Sequence, residues 1–244
     1  SYDWSYITFN SGANTSVKVG FLWSGPQIGS ELSVETVLLT KFNNWYNLSG
    51  NSNTVTLISG SSFSNSNNGC VTFDDTVYRY GTIPNIGSLT NFSIEALART
   101  NKSLTGKVTT VITNQYDLVS NLNFSLGTNN SPSSYNMTFG FFNGAWRNVT
   151  GFSMALNTWY HMIGTYDGST INLYVNGVLN SSLSYAGTAA SGGEIRIARR
   201  WDDVSNVASN FFSGDIGVIR IYNRALNATE ISQNYNATRT RFGV

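Results

Sequence analysis

The sequence predicts an all-β protein in which antiparallel strands pack as two sheets. In the run 170–175, TINLYV, apolar and polar residues alternate, and this period of two gives an extended strand one apolar face. Asp167-Gly168 before the run and Asn176-Gly177 after it are dipeptides that favour tight hairpin turns. We therefore predict a meander of three strands, near residues 159–166, 170–175 and 178–183.

Further strands precede and follow this meander. Short alternating runs, separated by turns rich in Gly, Asn and Ser, predict strands near residues 32–40, 55–58, 70–74, 92–98, 108–113, 118–126 and 135–142. After the meander, alternation of isoleucine with arginine predicts half-buried strands at 194–198 and 215–222. Short strands at regular spacing are typical of a β sandwich.

One helix is predicted, in the segment NATEISQNYNA at residues 227–237. Asn227 is a suitable N-cap, and Glu230 three residues later completes a capping box. Ile231 and Tyr235 are four residues apart and therefore share one face of the helix. We expect this short helix to close the domain.

Residues 1–33 are predicted to form a β-strand extension in front of a domain that spans residues 34–244. Two alternating runs in this segment carry aromatic side chains that need cover from water. The aromatic residues of this predicted assembly arm are Trp4, Tyr6, Phe9, Phe21 and Trp23. An extra terminal strand can extend its own sheet or pair with the edge of a neighbouring subunit, and the sequence leaves both arrangements open.

Composition excludes several classes of function. A chain of 244 residues with 41% hydrophobic residues can bury a large core. Only 11% of the residues are charged and the formal net charge is +1, so we expect no nucleic-acid partner. No apolar run approaches the roughly 20 residues that span a bilayer, so we expect no membrane insertion. A single cysteine, Cys70, excludes an internal disulfide and a cysteine zinc cluster.

Several segments together carry a family resemblance. They are NNWYNLSGNSN, GCVTFDD, NFSIEALART, NTWYHMIGTYDGSTINLYVNGVL, GEIRIARR and FFSGDIGVIRIYNRALNATEISQNYNATRTRFGV, in this order within residues 34–244. They resemble the laminin-G-like, concanavalin A-like jelly-roll family, and in particular modules of structural proteins of tailed phages and aquatic viruses. The resemblance implies a non-enzymatic protein of the virion surface, a head decoration or fibre-associated module, that binds other virion subunits or forms a homo-oligomer. The alternative is an extracellular carbohydrate-binding adhesion module.

The resemblance also implies a structural calcium ion, the one cofactor that we predict. Many relatives carry calcium near the loop after the strand that corresponds to CVTFDD and near the strand start that corresponds to SGDIG. Here Asp74, Asp75 and Asp215 supply hard oxygen ligands of the kind that calcium takes. The alternative is that these aspartates cap turns.

Catalysis is not predicted. Glycoside hydrolysis needs two carboxylates roughly 5 to 10 Å apart across a sugar, and no motif in the sequence offers such a pair. His161 is the only histidine, and neither a serine nucleophile motif nor a second metal-binding histidine accompanies it. We therefore interpret His161 as a packed or edge histidine and predict that the protein is not an enzyme.

Two loops carry residues suited to binding glycans on a cell surface. Sugar sites combine an aromatic surface with a few polar groups, and functional residues are frequent in loops. The first loop carries Trp201, Asp202 and Asp203 in an insertion between two core strands, and the second places Trp146 and Arg147 at a turn. The alternative is that these rings pack on the sandwich or on a neighbouring subunit.

Overall fold

A computed structural model shows two antiparallel sheets packed face to face, which confirms the predicted β-sandwich class. The structure describes residues 34–38, 45–47, 55–64, 69–104, 108–115, 121–128, 136–189, 193–200 and 211–244. The predicted arm, residues 1–33, and the loop with Trp201, Asp202 and Asp203 lie outside the described residues.

Sixteen strands and one helix are present among the described residues. They are β1 (Val34–Leu38), β2 (Trp45–Asn47), β3 (Thr56–Ile58), β4 (Ser62–Ser64), β5 (Cys70–Phe73), β6 (Tyr80–Ile83), β7 (Phe92–Thr100), β8 (Thr110–Gln115), β9 (Asn121–Thr128), β10 (Met137–Asn143), β11 (Trp146–Thr150), β12 (Tyr160–Tyr166), β13 (Thr170–Val175), β14 (Val178–Ser184), β15 (Glu194–Ile197), β16 (Gly214–Tyr222) and α1 (Ala228–Phe242).

The two sheets differ in size. The larger one has nine described strands, in the order β14-β13-β12-β7-β16-β1-β2, and β5 also pairs with β16 while β4 pairs with β5. The smaller one has seven, in the order β11-β10-β9-β8-β15-β6-β3. The predicted meander is present as β12, β13 and β14, and Asn176 and Gly177 turn between the last two strands with φ of 50° and 79°. Many neighbouring strands are distant in sequence, as in a jelly roll.

The core lies between the two sheets and is centred on aromatic side chains. Phe92 of β7 contacts four other buried rings at centroid distances between 5.8 and 6.3 Å, those of Phe124, Phe139, Phe141 and Tyr166. Because alternate residues of a strand point to the same face, the residues between these, such as Phe142, point to the outer face of the smaller sheet.

Helix α1 covers the outer face of the larger sheet. Its predicted capping box is present: the Asn227 side chain accepts a hydrogen bond from the backbone N–H of Glu230 at 3.0 Å, and Glu230 accepts one from the backbone N–H of Asn227 at 2.9 Å. The helix is longer than predicted, because Phe242 packs against Trp159 at a centroid distance of 4.8 Å. This tertiary contact holds a final turn whose sequence, TRTRF, has little apolar periodicity.

Four strands were not predicted. They are β2, β4, β6 and β11, each three to five residues long. Asparagine in β2 and β11 and glycine in β6 have low strand propensity, and β4 is only three residues long. Pairing with neighbouring strands therefore determines the conformation of these segments. In the part of the chain that the structure describes, no helix is long and apolar enough to cross a membrane.

Candidate functional site

An exposed tryptophan lies at the first residue of β11. Trp146 and Arg147 were predicted at a turn, but the turn is formed by residues 143–145, with Gly144 at φ 90°, and both side chains belong to the strand that follows. The strand begins there because β11 pairs with β10 up to the register Phe142 opposite Trp146. Trp146 thus has a fixed backbone while 46% of its surface is exposed.

Two neighbours fix the orientation of this indole. The Phe142 ring meets it edge-on, with centroids 5.5 Å apart and an interplanar angle of 70°. The Arg200 guanidinium lies over the indole, 5.4 Å from its centroid, at a distance where a cation is attracted to an aromatic face. We call Phe142, Trp146 and Arg200 the Trp146 platform.

The platform connects through the chain itself to the other predicted loop, which carries Trp201. Arg200 is the last described residue before Trp201, and the first residue after the undescribed stretch is Phe211. Arg199 pairs with Phe211 through an isolated bridge, and the backbone N–H of Phe212 donates to the carbonyl of Ala198 at 2.9 Å. These contacts close the base of the loop.

Polar groups accompany the platform on the same face of β11. Asn148 and Thr150 alternate with buried Val149, so they share the outer face with Trp146. Asn148 is half-buried and Thr150 is exposed. Gly140 lies opposite Asn148 on the neighbouring strand. A side chain at position 140 would clash there, because its Cβ would lie 2.0 Å from the carbonyl oxygen of Arg147.

Arg147 points to the opposite face and stacks on Tyr185. Its guanidinium carbon lies 4.8 Å from the centre of that ring, and the Tyr185 hydroxyl accepts a hydrogen bond from Asn143 Nδ2 at 2.8 Å. Arg147 Nε and Asn143 Oδ1 are both buried without a hydrogen-bond partner. A buried donor and a buried acceptor thus remain unsatisfied beside the contact of Arg147 with Tyr185.

Two of the aspartates predicted to bind calcium contact a lysine. Asp74 caps the 3-10 turn Asp75–Val77, and its Oδ1 accepts hydrogen bonds from the backbone N–H of Thr76 at 2.9 Å and from the Thr76 hydroxyl at 2.8 Å. These bonds outweigh partial burial and, with the Lys102 ammonium 3.3 Å away, lower the pKa of Asp74 to about 2. Lys102 also forms an ion pair with buried Asp75.

The third aspartate, Asp215, pairs with an arginine. Its Oδ2 accepts a hydrogen bond from Arg99 Nε at 2.6 Å, and its Oδ1 accepts one from the Thr72 hydroxyl at 2.6 Å. The described residues contain no group of three or more His, Cys, Asp and Glu side chains placed to hold a metal ion. Calcium binding at Asp74, Asp75 and Asp215 stays a prediction.

His161 belongs to a buried polar network that the sequence did not indicate. Its Nε2 lies 3.0 Å from Glu95 Oε1, which also accepts a hydrogen bond from Arg220 Nη1 at 2.6 Å. The other oxygen, Oε2, accepts bonds from the Tyr222 hydroxyl at 3.1 Å and from Asn234 Nδ2 of helix α1 at 2.8 Å. The network therefore attaches the helix to the larger sheet.

The environment of Glu95 keeps it ionised and inaccessible. Burial alone would raise its pKa, but the Arg220 guanidinium and the hydrogen bond from His161 outweigh burial and lower the pKa of Glu95 to about 2. A general acid or base needs a pKa near the working pH and access to the substrate, and Glu95 has neither. We interpret the network as structural.

The chain belongs to the concanavalin A-like lectin/glucanases superfamily. The family model of that description, Laminin_G_3, matches residues 74–232, which confirms the laminin-G-like, concanavalin A-like resemblance seen in the sequence. A search of curated protein sequences found no match.

Solved structures share the fold at low sequence identity. Domain 4 of AbnA, a GH43 extracellular arabinanase from Geobacillus stearothermophilus solved in complex with arabinotriose, aligns with a TM-score of 0.66 and 14% identity over 83% of this chain and 98% of that one. The binding domain of Paraclostridial Mosquitocidal Protein 1 aligns with a TM-score of 0.65 and 15% identity over 85% of this chain and 52% of that one. The receptor-binding domain of botulinum neurotoxin type G aligns with a TM-score of 0.63 and 20% identity over 84% of this chain and 50% of that one. The chain thus spans about half the length of these two toxin domains.

Sequence reasoning missed the residues around Trp146. Phe142, Arg200, Asn143 and Tyr185 were not proposed as site residues. The dipeptide Asn143-Gly144 between two apolar runs is a hairpin signal that would have indicated a turn here, although a two-residue turn would have paired Phe142 with Ala145 and not with Trp146. No local signal brings Tyr185 or Arg200 to this position, because their contacts depend on the packing of distant segments.

Proposed function

We propose that this chain is a non-enzymatic glycan-binding module whose sugar-contacting surface is the Trp146 platform. The observation that carries the proposal is the exposed indole of Trp146, held on a paired strand and flanked by Phe142 and Arg200. Indole rings offer a rigid apolar face with a polar edge, and sugar rings present apolar faces and hydroxyls that match both.

Polar groups near the indole support the same ligand class. Asn148 and Thr150 offer amide and hydroxyl groups on the Trp146 side of the strand. A sugar hydroxyl donates and accepts at once, so it suits amide and hydroxyl groups of this kind. Trp201, Asp202 and Asp203 follow Arg200 directly in sequence, and we include them in the proposed surface.

The names of similar structures are consistent with a binding module. The arabinanase domain was solved with arabinotriose, and cell entry of botulinum neurotoxin type C, another similar structure, is dependent upon interaction with two ganglioside molecules. Several of the other similar structures are binding domains of toxins. These likenesses reverse the order of the two hypotheses from the sequence, so that glycan binding in an extracellular setting comes first.

A place on a virion surface remains the second candidate. It rests on the resemblance of the ending IYNRALNATEISQNYNATRTRFGV to phage and viral structural modules. A glycan-binding module at that location would serve attachment to a cell, so both hypotheses share the Trp146 platform. They differ in the partner to which the module is joined, which is another virion subunit in the second case.

A glycan array followed by calorimetry tests the proposal. The array carries neutral oligosaccharides, including arabinotriose, and sialylated ones, and the best ligand is titrated into wild type and variants. Trp146→Ala should weaken binding by roughly fivefold or more, as expected for losing about 1 kcal/mol of aromatic contact, without a change in melting temperature. Trp201→Ala tests the adjoining loop in the same way.

The matched control is Leu156→Ala, because Leu156 is also an exposed apolar residue, at 53%, but lies in the turn before β12. It should bind like wild type. A blank array for the wild type, or equal affinity of the wild type and Trp146→Ala, would contradict the proposal.

A further inference from the structure

Among the described residues, positive charge dominates the segments that form the Trp146 platform. Segment 193–200 carries three arginines and one acidic residue, Glu194, whereas segment 146–150 carries one arginine and no acidic residue. Glu194 pairs with Arg196, with 3.0 Å between the carboxylate oxygen and Nε. Positive charge is therefore in excess at the platform, and such an excess attracts anions.

The guanidinium of Arg200 is placed beside the exposed indole. Its central carbon lies 5.4 Å from the indole centroid of Trp146. Arg199, the preceding residue, is held in the same way, 4.8 Å from the ring centre of Tyr80 and 5.1 Å from that of Phe211. A guanidinium in contact with an aromatic face still presents N–H donors along its edge, in a planar fork that matches a carboxylate.

We propose that the ligand of the Trp146 platform is an acidic sugar, whose ring carries a carboxylate, and that Arg200 binds this carboxylate while the indole contacts the sugar ring. The inference rests on the proposed glycan binding and adds the ligand class. Because guanidinium and indole are in contact, a single sugar unit can meet both. A neutral sugar can use only the indole and ordinary hydrogen bonds, which are weaker than charge-assisted ones.

The short distance between guanidinium and indole favours a carboxylate over a sulfate ester. A ring carboxylate is attached directly to a carbon of the sugar ring, so it lies beside the ring, as Arg200 lies beside the indole. A sulfate ester is joined through an additional oxygen and extends farther from the ring. The planar carboxylate also accepts both hydrogen bonds of the guanidinium fork in one plane.

Matched pairs of glycans test the ligand class. Each pair consists of an oligosaccharide that ends in a sialic or uronic acid and the same oligosaccharide with its carboxylate converted to the methyl ester. Calorimetry should show that the wild type binds the acid on the order of tenfold more tightly than the ester. The difference should become smaller as the salt concentration rises.

Variants at Arg200 test which residue provides the preference. Arg200→Gln should reduce the ratio of the two affinities to about one, and Arg200→Lys, which keeps the charge but lacks the planar fork, should restore it only in part. The matched control is Arg239→Gln, since Arg239 also lies over an aromatic ring, that of Tyr235 at 6.0 Å, but belongs to helix α1. It should keep the preference of the wild type.

The affinity ratio remains informative for a variant of lower stability, because acid and ester are titrated into the same protein. Equal affinity of the wild type for acid and ester, or a preference that Arg200→Gln leaves unchanged, would overturn the inference while leaving glycan binding at Trp146 intact. Tighter binding of sulfated than of carboxylated glycans would also overturn it. A wild type that binds no glycan of the array would overturn the proposed function as well.

Discussion

The substitution Glu95→Gln tests how far a buried carboxylate stabilises the attachment of helix α1. Glutamine keeps the size of the side chain but removes its charge and replaces one acceptor oxygen with an NH2 donor. This NH2 group would face the donor groups that bind the Glu95 carboxylate in the wild type. The pKa of Glu95 is lowered from its ordinary 4.5 to about 2, and each pKa unit corresponds to about 1.4 kcal/mol. The carboxylate of fully buried Glu95 therefore contributes about 3 kcal/mol at neutral pH.

The sign of the pH dependence follows from the lowered pKa. Stability from Glu95 is fully present above pH 4.5, the ordinary value, and is lost as the pH falls through the folded value of about 2. Urea unfolding followed by circular dichroism should therefore show Glu95→Gln about 3 kcal/mol less stable than wild type at pH 7, with a smaller difference at low pH.

Glu194→Gln is the matched control. Glu194 also pairs with an arginine, Arg196 at 3.0 Å, but its side chain is 45% exposed, so the change should cost less than about 1 kcal/mol. A difference below about 1 kcal/mol for Glu95→Gln at pH 7, or one that stays the same on acidification, would refute the reasoning.

Two further predictions concern the core and the metal. Gly164→Ala should lower the free energy of unfolding by about 1 to 3 kcal/mol, because the alanine Cβ would lie 2.1 Å from the Phe139 ring. Thermal unfolding measures this loss. An unchanged melting temperature would contradict the close packing of Gly164 against Phe139. Calcium at Asp74, Asp75 and Asp215 predicts that a chelator lowers the melting temperature and that added calcium restores it. An unchanged melting temperature would contradict the calcium site and would leave Asp74 and Asp215 in their ion pairs with Lys102 and Arg99.

Local sequence signals predicted the elements whose residues alternate and end in strong turns. The β12–β14 meander and the capping box of α1 were predicted from dipeptides and spacings within a few residues. Boundaries shifted where the turn signal was weak, as for the strand predicted at 118–126, which lies at Asn121–Thr128. Strand β6 was missed because Gly81 interrupts its pattern.

The candidate site was predicted only in part because most of its contacts are non-local. Trp146 and Arg147 were predicted at a turn, yet both lie in β11, and their different faces follow from the β10–β11 register. The partner of Arg147, Tyr185, is 38 residues away in the printed sequence, since 185 minus 147 is 38. No spacing rule joins residues at that distance. The same holds for Glu95, whose four partners come from β12, β16 and α1.

Whether a face of the sandwich is covered or exposed explains where the proposed functional surface lies. Helix α1 and the Glu95 network occupy the outer face of the larger sheet, and Glu95 is completely buried there. That face offers no access to a ligand at Glu95. Trp146 belongs to the outer face of the smaller sheet, where nearly half of its surface is exposed. A ligand at Trp146 and the Glu95 network would thus use separate surfaces, so a substitution at Glu95 that leaves the protein folded should leave ligand binding intact.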